Sequence, residues 1–287
     1  MIKTTLRTIA VMFFLCSIAV LFSFPLNAQA FDGKSGWWYT PGKDGTGVSV
    51  EIRGNTAFVA LFTYYDDTGV PFWMTGYGAV ERNVQTRQGT TDVFTGTLDY
   101  WAGWPIGTSY YAPTSYRFGS IKIVFFSDEE AEINYTIEGF TSASGSKKKT
   151  SKEPATFTAK LSKFMKDVSP GNLDPRDING WWYDPNYNGM GFFMEARGGT
   201  AFMTWYHYGP DTLPTWWTCT APFNPSDSSF SCDLMEWHGG SSIGSDQYRK
   251  PSAGSVGSAV LTLNQAGSAT LDWSGTQFHL QRFVFGD

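Results

Sequence analysis

The chain is poor in the residues from which metal and catalytic centres are most often built, with three histidines and three cysteines in 287 residues. None of the histidines belongs to the repeated pattern set out below: His207, His238 and His279 align with Thr63, Ala102 and Lys160. A metal cluster or a histidine-based triad is therefore not expected. Charge is sparse too. Asp, Glu, Lys and Arg make up 16% of the chain, with 26 acids against 21 bases, a balance that disfavours nucleic acid or anionic lipid as partner. The serine-containing run Gly240–Ser245 is not read as a hydrolase nucleophile elbow, and Ser144 with Lys147 lies in a Ser/Lys-rich stretch unsuited to holding an activated nucleophile rigidly. Long helical periodicities are few, which points to short strands and tight turns.

What the chain does contain is a duplication. Gly36-Trp37-Trp38-Tyr39, with Pro41, Gly45, Gly47, Glu51, Arg53, Gly54, Thr56, Ala57, Phe58 and Tyr64, returns without a gap as Gly180-Trp181-Trp182-Tyr183, with Pro185, Gly189, Gly191, Glu195, Arg197, Gly198, Thr200, Ala201, Phe202 and Tyr208. With small gaps the match continues: Trp73 with Trp216, Trp101 with Trp237, Ile106 with Ile243, Pro113 with Pro251, and Phe164 with Phe283. Two copies of one unit act as an internal comparison, and they divide the chain into 31–165 and 176–287 around a Pro, Gly and Asp-containing linker at 166–175. The first copy carries an insertion, Ser142–Glu153, read as a solvated hairpin loop.

Residues 1–30 stand apart. Lys3 and Arg7 precede an almost wholly apolar run from Ile9 to Phe24, and Ala28-Gln29-Ala30 supplies a small-x-small cleavage site, the order of a secretory signal peptide. The run is short of the roughly 20 residues of a spanning helix, so no membrane span is expected after cleavage. Removing it takes two bases and no acids, leaving a formal charge of −7. The expected destination is the periplasm or the medium. There the two remaining cysteines, Cys219 and Cys232, are expected to form a disulfide. Gly76 and Gly96 stand at their places in the first copy, and the pair is expected to sit on opposite positions of neighbouring strands.

Within one unit the pattern is that of strands. Phe202, Thr204, Tyr206 and Tyr208 alternate with Ala201, Met203, Trp205 and His207; the shared Phe58/Phe202 and Tyr64/Tyr208 face is expected to be the interior. Seven or eight short strands in hairpin order predict an all-β protein of two tandem antiparallel meander barrels, about eight strands each. Two β-sandwiches are the alternative.

The run Gly-Trp-Trp-Tyr-x-Pro-x-x-x-Gly-x-Gly, followed by Glu-x-Arg-Gly and a Pro-x-Trp step, resembles a repeat of uncharacterised exported proteins of Gram-negative bacteria. That resemblance implies export and a β-rich module and no catalytic activity. A looser similarity to avidin-like and lipocalin-like barrels rests on the Gly-Trp opening and the meander order, and transfers no ligand.

Asp184, Asn186, Asn188, Gly189 and Glu195 match the spacing of a calcium loop, yet strands flank them and the first copy has Thr40 and Gly42 at its first two positions. The run is read as a tight turn in which Asn188 or Asp44 and the next glycine take positive φ, and neither metal nor cofactor is expected. Glu51-x-Arg53 and Glu195-x-Arg197 recur in both copies; each pair shares a strand face and forms an ion pair or lends polar groups to a cavity. Twelve tryptophans exceed what small cores need. Trp37, Trp73, Trp101, Trp181, Trp216 and Trp237, with Tyr64, Tyr208, Glu51, Arg53, Glu195 and Arg197, are the candidate ligand-binding residues. The favoured function is a non-catalytic binding module for a glycan, a small apolar molecule or an envelope polymer. An envelope structural or protein-interaction protein is second, and a hydrolase third.

Overall fold

A computed structural model describes residues 32–66, 68–138, 154–166, 178–223, 226–264 and 267–286. The expected signal peptide, the Ser142–Glu153 insertion and the linker beyond Lys166 lie outside the described residues. The first repeat contributes β1 (Gly36–Tyr39), β2 (Gly47–Arg53), β3 (Thr56–Tyr64), β4 (Pro71–Thr86), β5 (Gly89–Ala102), β6 (Thr114–Phe125), β7 (Glu130–Ile137) and β8 (Ala155–Lys163). The second contributes β9 (Gly180–Tyr183), β10 (Gly191–Arg197), β11 (Thr200–Tyr208), β12 (Pro214–Pro222), β13 (Ser229–His238), β14 (Ser252–Leu263), β15 (Ser268–Trp273) and β16 (Thr276–Arg282). Each set pairs in sequence order into a closed antiparallel barrel. β1 meets β8 through Trp38↔Lys163, and β9 meets β16 through Trp182↔Arg282. Closure leaves no open sheet edge. Among the described residues, no helix is long and apolar enough to cross a membrane.

Turn chemistry sets the registers. β10 and β11 are joined between Arg197 and Thr200 by Gly198-Gly199, with φ of 56° and 82°, the twist a two-residue hairpin needs. β14 starts at Ser252 because Ser252–Ser255, although small and largely polar, continues to pair with His238–Met235 beyond the bulge in β13. In the calcium-like run Gly189 has φ 93°, but Asn188 stays at φ −54°.

The alternation in β3 and β11 is real, but its assignment is reversed. Ala57, Val59 and Leu61 point into the first barrel with Val48, Val50 and Met74. Phe58, Phe62 and Tyr64 point outward, against the second barrel. Likewise Met203 and Trp205 lie inside the second barrel, whereas Phe202 and Tyr206 turn to the first. Both faces of these strands are apolar because one fills a barrel and the other forms a seam between barrels, and periodicity alone cannot rank two buried faces.

The disulfide forms between Cys219 and Cys232, with Cα atoms 5.8 Å apart. The hydrogen-bonded ladder of β12 and β13 is limited to Trp217↔Glu236 and Thr218↔Met235, so the bridge ties the strands beyond the end of their ladder. The expected directly opposite register does not hold for the two glycines at the matching places of the first barrel. In the first barrel Gly76 faces Leu98, and Gly96 faces Gly78. The two glycines are a diagonal pair, offset by two positions, a spacing that long or bridging side chains still span.

Candidate ligand clefts at the seam of the barrels

A reciprocal lock holds the two barrels together. Glu51 on β2 accepts the backbone N–H of Trp181 at 2.7 Å, and Glu195 on β10 accepts that of Trp37 at 2.9 Å. The glycine of each Gly-Trp-Trp-Tyr run is explained by this approach. A Cβ on Gly36 would lie 2.7 Å from the Glu195 carboxylate oxygens, and one on Gly180 would strike Glu51; φ is 127° and 115° at the two positions, where an L side chain is strained in any case. Each carboxylate is also gripped by cations. Glu51 binds Arg53 at 2.7 Å and, from the other barrel, Arg282 at 3.0 Å. Glu195 binds Arg197. Burial pushes the Glu195 carboxyl above the usual carboxylate range, opposed by the charges of Lys163 and Arg197 and by the Trp37 N–H.

Aromatic rings interlock around this lock with the same pseudo-two-fold symmetry. Phe58 meets Trp181 edge-on at 5.1 Å, and Phe202 meets Trp37 at 5.1 Å. The Tyr64 ring lies against Gly240 and the Tyr208 ring against Gly103, too close in each case for a side chain. Pro251 packs on Gly45 and Pro113 on Gly189. Tyr208 donates its hydroxyl to the Gly189 carbonyl at 2.8 Å. These shared residues of the repeat therefore meet at the seam.

Two clefts open there, one on each side of the pseudo-axis. The first, about 400 Å³, is walled by Trp73, Trp101, Trp181, Phe58, Tyr206 and Phe283. The second, about 430 Å³, is walled by Trp216, Trp237, Trp37, Phe202, Phe62 and Phe164. Position for position these are the same residues of the repeat, and each cleft takes indoles from both barrels. Trp101 donates Nε1–H to Thr75 Oγ1 at 2.8 Å and Trp237 does the same to Thr218 at 2.8 Å, which fixes the two half-buried indoles that form the mouths. The clefts differ in their polar groups. In the first, Trp181 Nε1 donates to the Phe58 carbonyl at 3.2 Å and Trp73 Nε1 to the His207 carbonyl at 3.0 Å. In the second, Trp37 Nε1 and Trp216 Nε1 are buried with no partner among the described residues, two donors in a largely apolar wall.

The six candidate tryptophans thus divide three and three between the clefts. Glu51, Arg53, Glu195 and Arg197 line neither; they form the lock. Tyr64 and Tyr208 pack at the seam beside the clefts. The phenylalanines and the Thr75/Thr218 pair are not among the ligand-binding candidates that the sequence offers, although Thr75 and Thr218 stand two residues after Trp73 and Trp216, on the same strand face. Asp184 caps a 3-10 turn, accepting from the Asn186 N–H at 2.9 Å and the His279 N–H at 2.7 Å, so its oxygens face backbone donors. Gly240-Ser241-Ser242-Ile243-Gly244 spells Gly-x-Ser-x-Gly, yet it straps the second barrel to the first: Ser242 donates its N–H and hydroxyl to Asp66 at 2.7 and 2.8 Å. Compared with known families, curated proteins and solved structures, the chain matches none.

Proposed function

We propose that this is an exported, non-catalytic binding module whose seam clefts take a glycan, a small apolar molecule or a segment of envelope polymer. The observation that supports this most directly is the twin construction. Both clefts are lined by four tryptophans and four phenylalanines or tyrosines at matching places of the repeat, around a space of roughly 400 Å³, in the size range of small-molecule sites. Indole faces suit the C–H faces of sugars and apolar rings alike. The unpaired Trp37 and Trp216 N–H groups favour a ligand carrying hydroxyl or carbonyl oxygens in the second cleft. Titration of the mature protein against glycans, peptidoglycan fragments and small lipids, by calorimetry and tryptophan fluorescence, tests the reading. Trp101→Ala and Trp237→Ala are the informative variants because these rings are half-buried. Absence of saturable binding across the panel would remove it.

A second reading has its own support. Gly36/Gly180, Glu51/Glu195, Tyr64/Tyr208 and Pro113/Pro251 all join one barrel to the other, as expected if the repeat persists as scaffold in an envelope structural or protein-interaction protein. Co-purification of a stoichiometric envelope protein, undisturbed by Trp101→Ala with Trp237→Ala, would favour this second reading.

A further inference from the structure

The mouths of the two barrels are closed differently. In the first barrel the mouth is plugged by Ile243, which the β13–β14 connection of the other barrel buries completely in the first core. Its N–H donates to Thr63 Oγ1 at 2.9 Å and its carbonyl accepts the Tyr135 hydroxyl at 2.8 Å. By pseudo-symmetry Ile106, in the β5–β6 connection, should plug the second barrel. It is only half-buried, and beside it opens a cavity of about 730 Å³ whose wall includes Ile106, His207, Trp217, Trp273, Asp211 and Glu236. His207 stands at the place of Thr63, and Trp273 in β15 at the place of Tyr135 in β7.

The residues that replace the plug's partners form a cage. Trp217 and Trp273 have ring centres 5.0 Å apart, Trp205 lies edge-on to both at 5.5 Å, and the His207 ring lies 4.0 Å from that of Trp217. His207 is buried, with Nδ1 3.3 Å from the Tyr208 carbonyl. That contact favours the Nδ1–H tautomer, leaving a lone pair on Nε2, which has no partner among the described residues. At the rim Glu236 and Asp211 carry negative charge, with Glu236 3.4 Å from His238, and neither lysine nor arginine lines the cavity.

We propose that the mouth of the second barrel binds a small organic cation, an ammonium group on an apolar body. The indole faces receive the body and attract the cation, the Nε2 lone pair accepts an N–H, and Glu236 supplies opposite charge. An anion meets neither lysine nor arginine in this wall, and the one exposed histidine there, His238, already faces Glu236. A neutral apolar molecule of the same shape gains the indoles but leaves Nε2 unpaired and Glu236 unused. The site is separate from the seam clefts and does not depend on their having a ligand.

The test uses the mature protein with three isosteric probes, phenethylammonium, 2-phenylethanol and phenylacetate, followed by tryptophan quenching and calorimetry. Phenethylammonium is expected to bind saturably and about tenfold tighter than 2-phenylethanol, with phenylacetate weakest. Glu236→Gln, at a half-buried position, is expected to weaken phenethylammonium about threefold and leave 2-phenylethanol unchanged. Trp273→Leu is expected to abolish saturation, while Trp101→Ala in the first seam cleft leaves it intact. Equal affinity for the cation and the alcohol, an unaffected Glu236→Gln variant, loss of binding in Trp101→Ala, or no saturable binding of phenethylammonium would each overturn the proposal. If Trp273→Leu does not fold, Glu236→Gln and the probe series still decide it.

Discussion

His207 makes the stability of the second barrel depend on pH, and the size of the effect follows from its surroundings. The ring is buried among Trp205 and Trp217, its one hydrogen-bond contact among the described residues is the Tyr208 carbonyl, and burial depresses its pKa from 6.5 to about 3. The unfolded chain takes up a proton below pH 6.5, whereas the folded chain stays neutral until about pH 3. The stabilisation is therefore fully present above the unfolded pKa and is lost as pH falls through this window. By linkage, unfolding at about pH 5 should be easier by about 2 kcal/mol than at about pH 7.5 through this residue alone. Glu195 acts in the opposite sense: its raised pKa lets the folded state hold a proton that the unfolded chain releases, so its contribution falls as pH rises above the ordinary carboxylate value. The wild-type curve is thus a composite, and the difference between wild type and His207→Gln isolates the imidazole. Urea unfolding at a series of pH values, read by tryptophan emission, measures that difference. A difference that stays flat between about pH 7.5 and about pH 5 would refute the burial argument, because an imidazole in water produces no such slope.

The lock and the disulfide make further predictions. Gly42→Ala, at φ 75° with open space around it, should cost about 1–2 kcal/mol of backbone strain; Gly180→Ala should cost clearly more, by driving Glu51 off the Trp181 N–H, and chemical denaturation compares the two. Glu51→Ala leaves Arg282 and the Trp181 N–H facing an empty place and is expected to destabilise by about 3–5 kcal/mol, while Glu51→Gln keeps an acceptor and loses less. Removing the Cys219–Cys232 bridge, which spans 13 residues, should cost roughly 3 kcal/mol in thermal or urea unfolding. A protease site inserted in the 166–175 linker should, once cut, leave the two halves co-eluting on a sizing column, since the lock and the aromatic seam remain.

The all-β class, the barrel pair and the disulfide were legible because each rests on short-range pattern: hairpin spacing, turn glycines, and two thiols close together in the second repeat. What periodicity could not supply was direction. In β3, Phe58-x-x-x-Phe62-x-Tyr64 and Ala57-x-Val59-x-Leu61 are both apolar rows, and the larger aromatics invite assignment to the interior. They face outward because the second barrel covers them, and nothing local to the strand encodes that neighbour. The tryptophans of the clefts were found by repetition, while Glu51 and Glu195 were grouped with them although they work elsewhere. Their spacing to Arg53 and Arg197 signalled an ion pair; the acceptance of a backbone N–H across 130 and 158 residues has no sequence signature beyond the glycine that makes room for it.

That difference between seam and interior explains which parts of the duplication persisted. Inside the barrels the copies have drifted: Val48 against Phe192, Val50 against Met194, Val59 against Met203, Leu61 against Trp205, Met74 against Trp217. Each barrel fills its own volume, so a larger side chain in one is balanced by neighbours in the same barrel. At the seam a change in one copy alters a contact with the other, and the pseudo-two-fold axis brings each shared residue against a different shared residue: Gly36 against Glu195, Gly180 against Glu51, Trp37 against Phe202, Trp181 against Phe58. Such positions are coupled in two directions at once, and these four pairs are identical in the two copies. The repeat visible in the sequence thus combines an interface pattern with a few shared interior residues, Trp38/Trp182, Ala57/Ala201 and Leu98/Leu234 among them. By the same reasoning, sites of individual function belong where the copies are free to differ, and the Thr63/His207 and Tyr135/Trp273 replacements at the barrel mouths are such places.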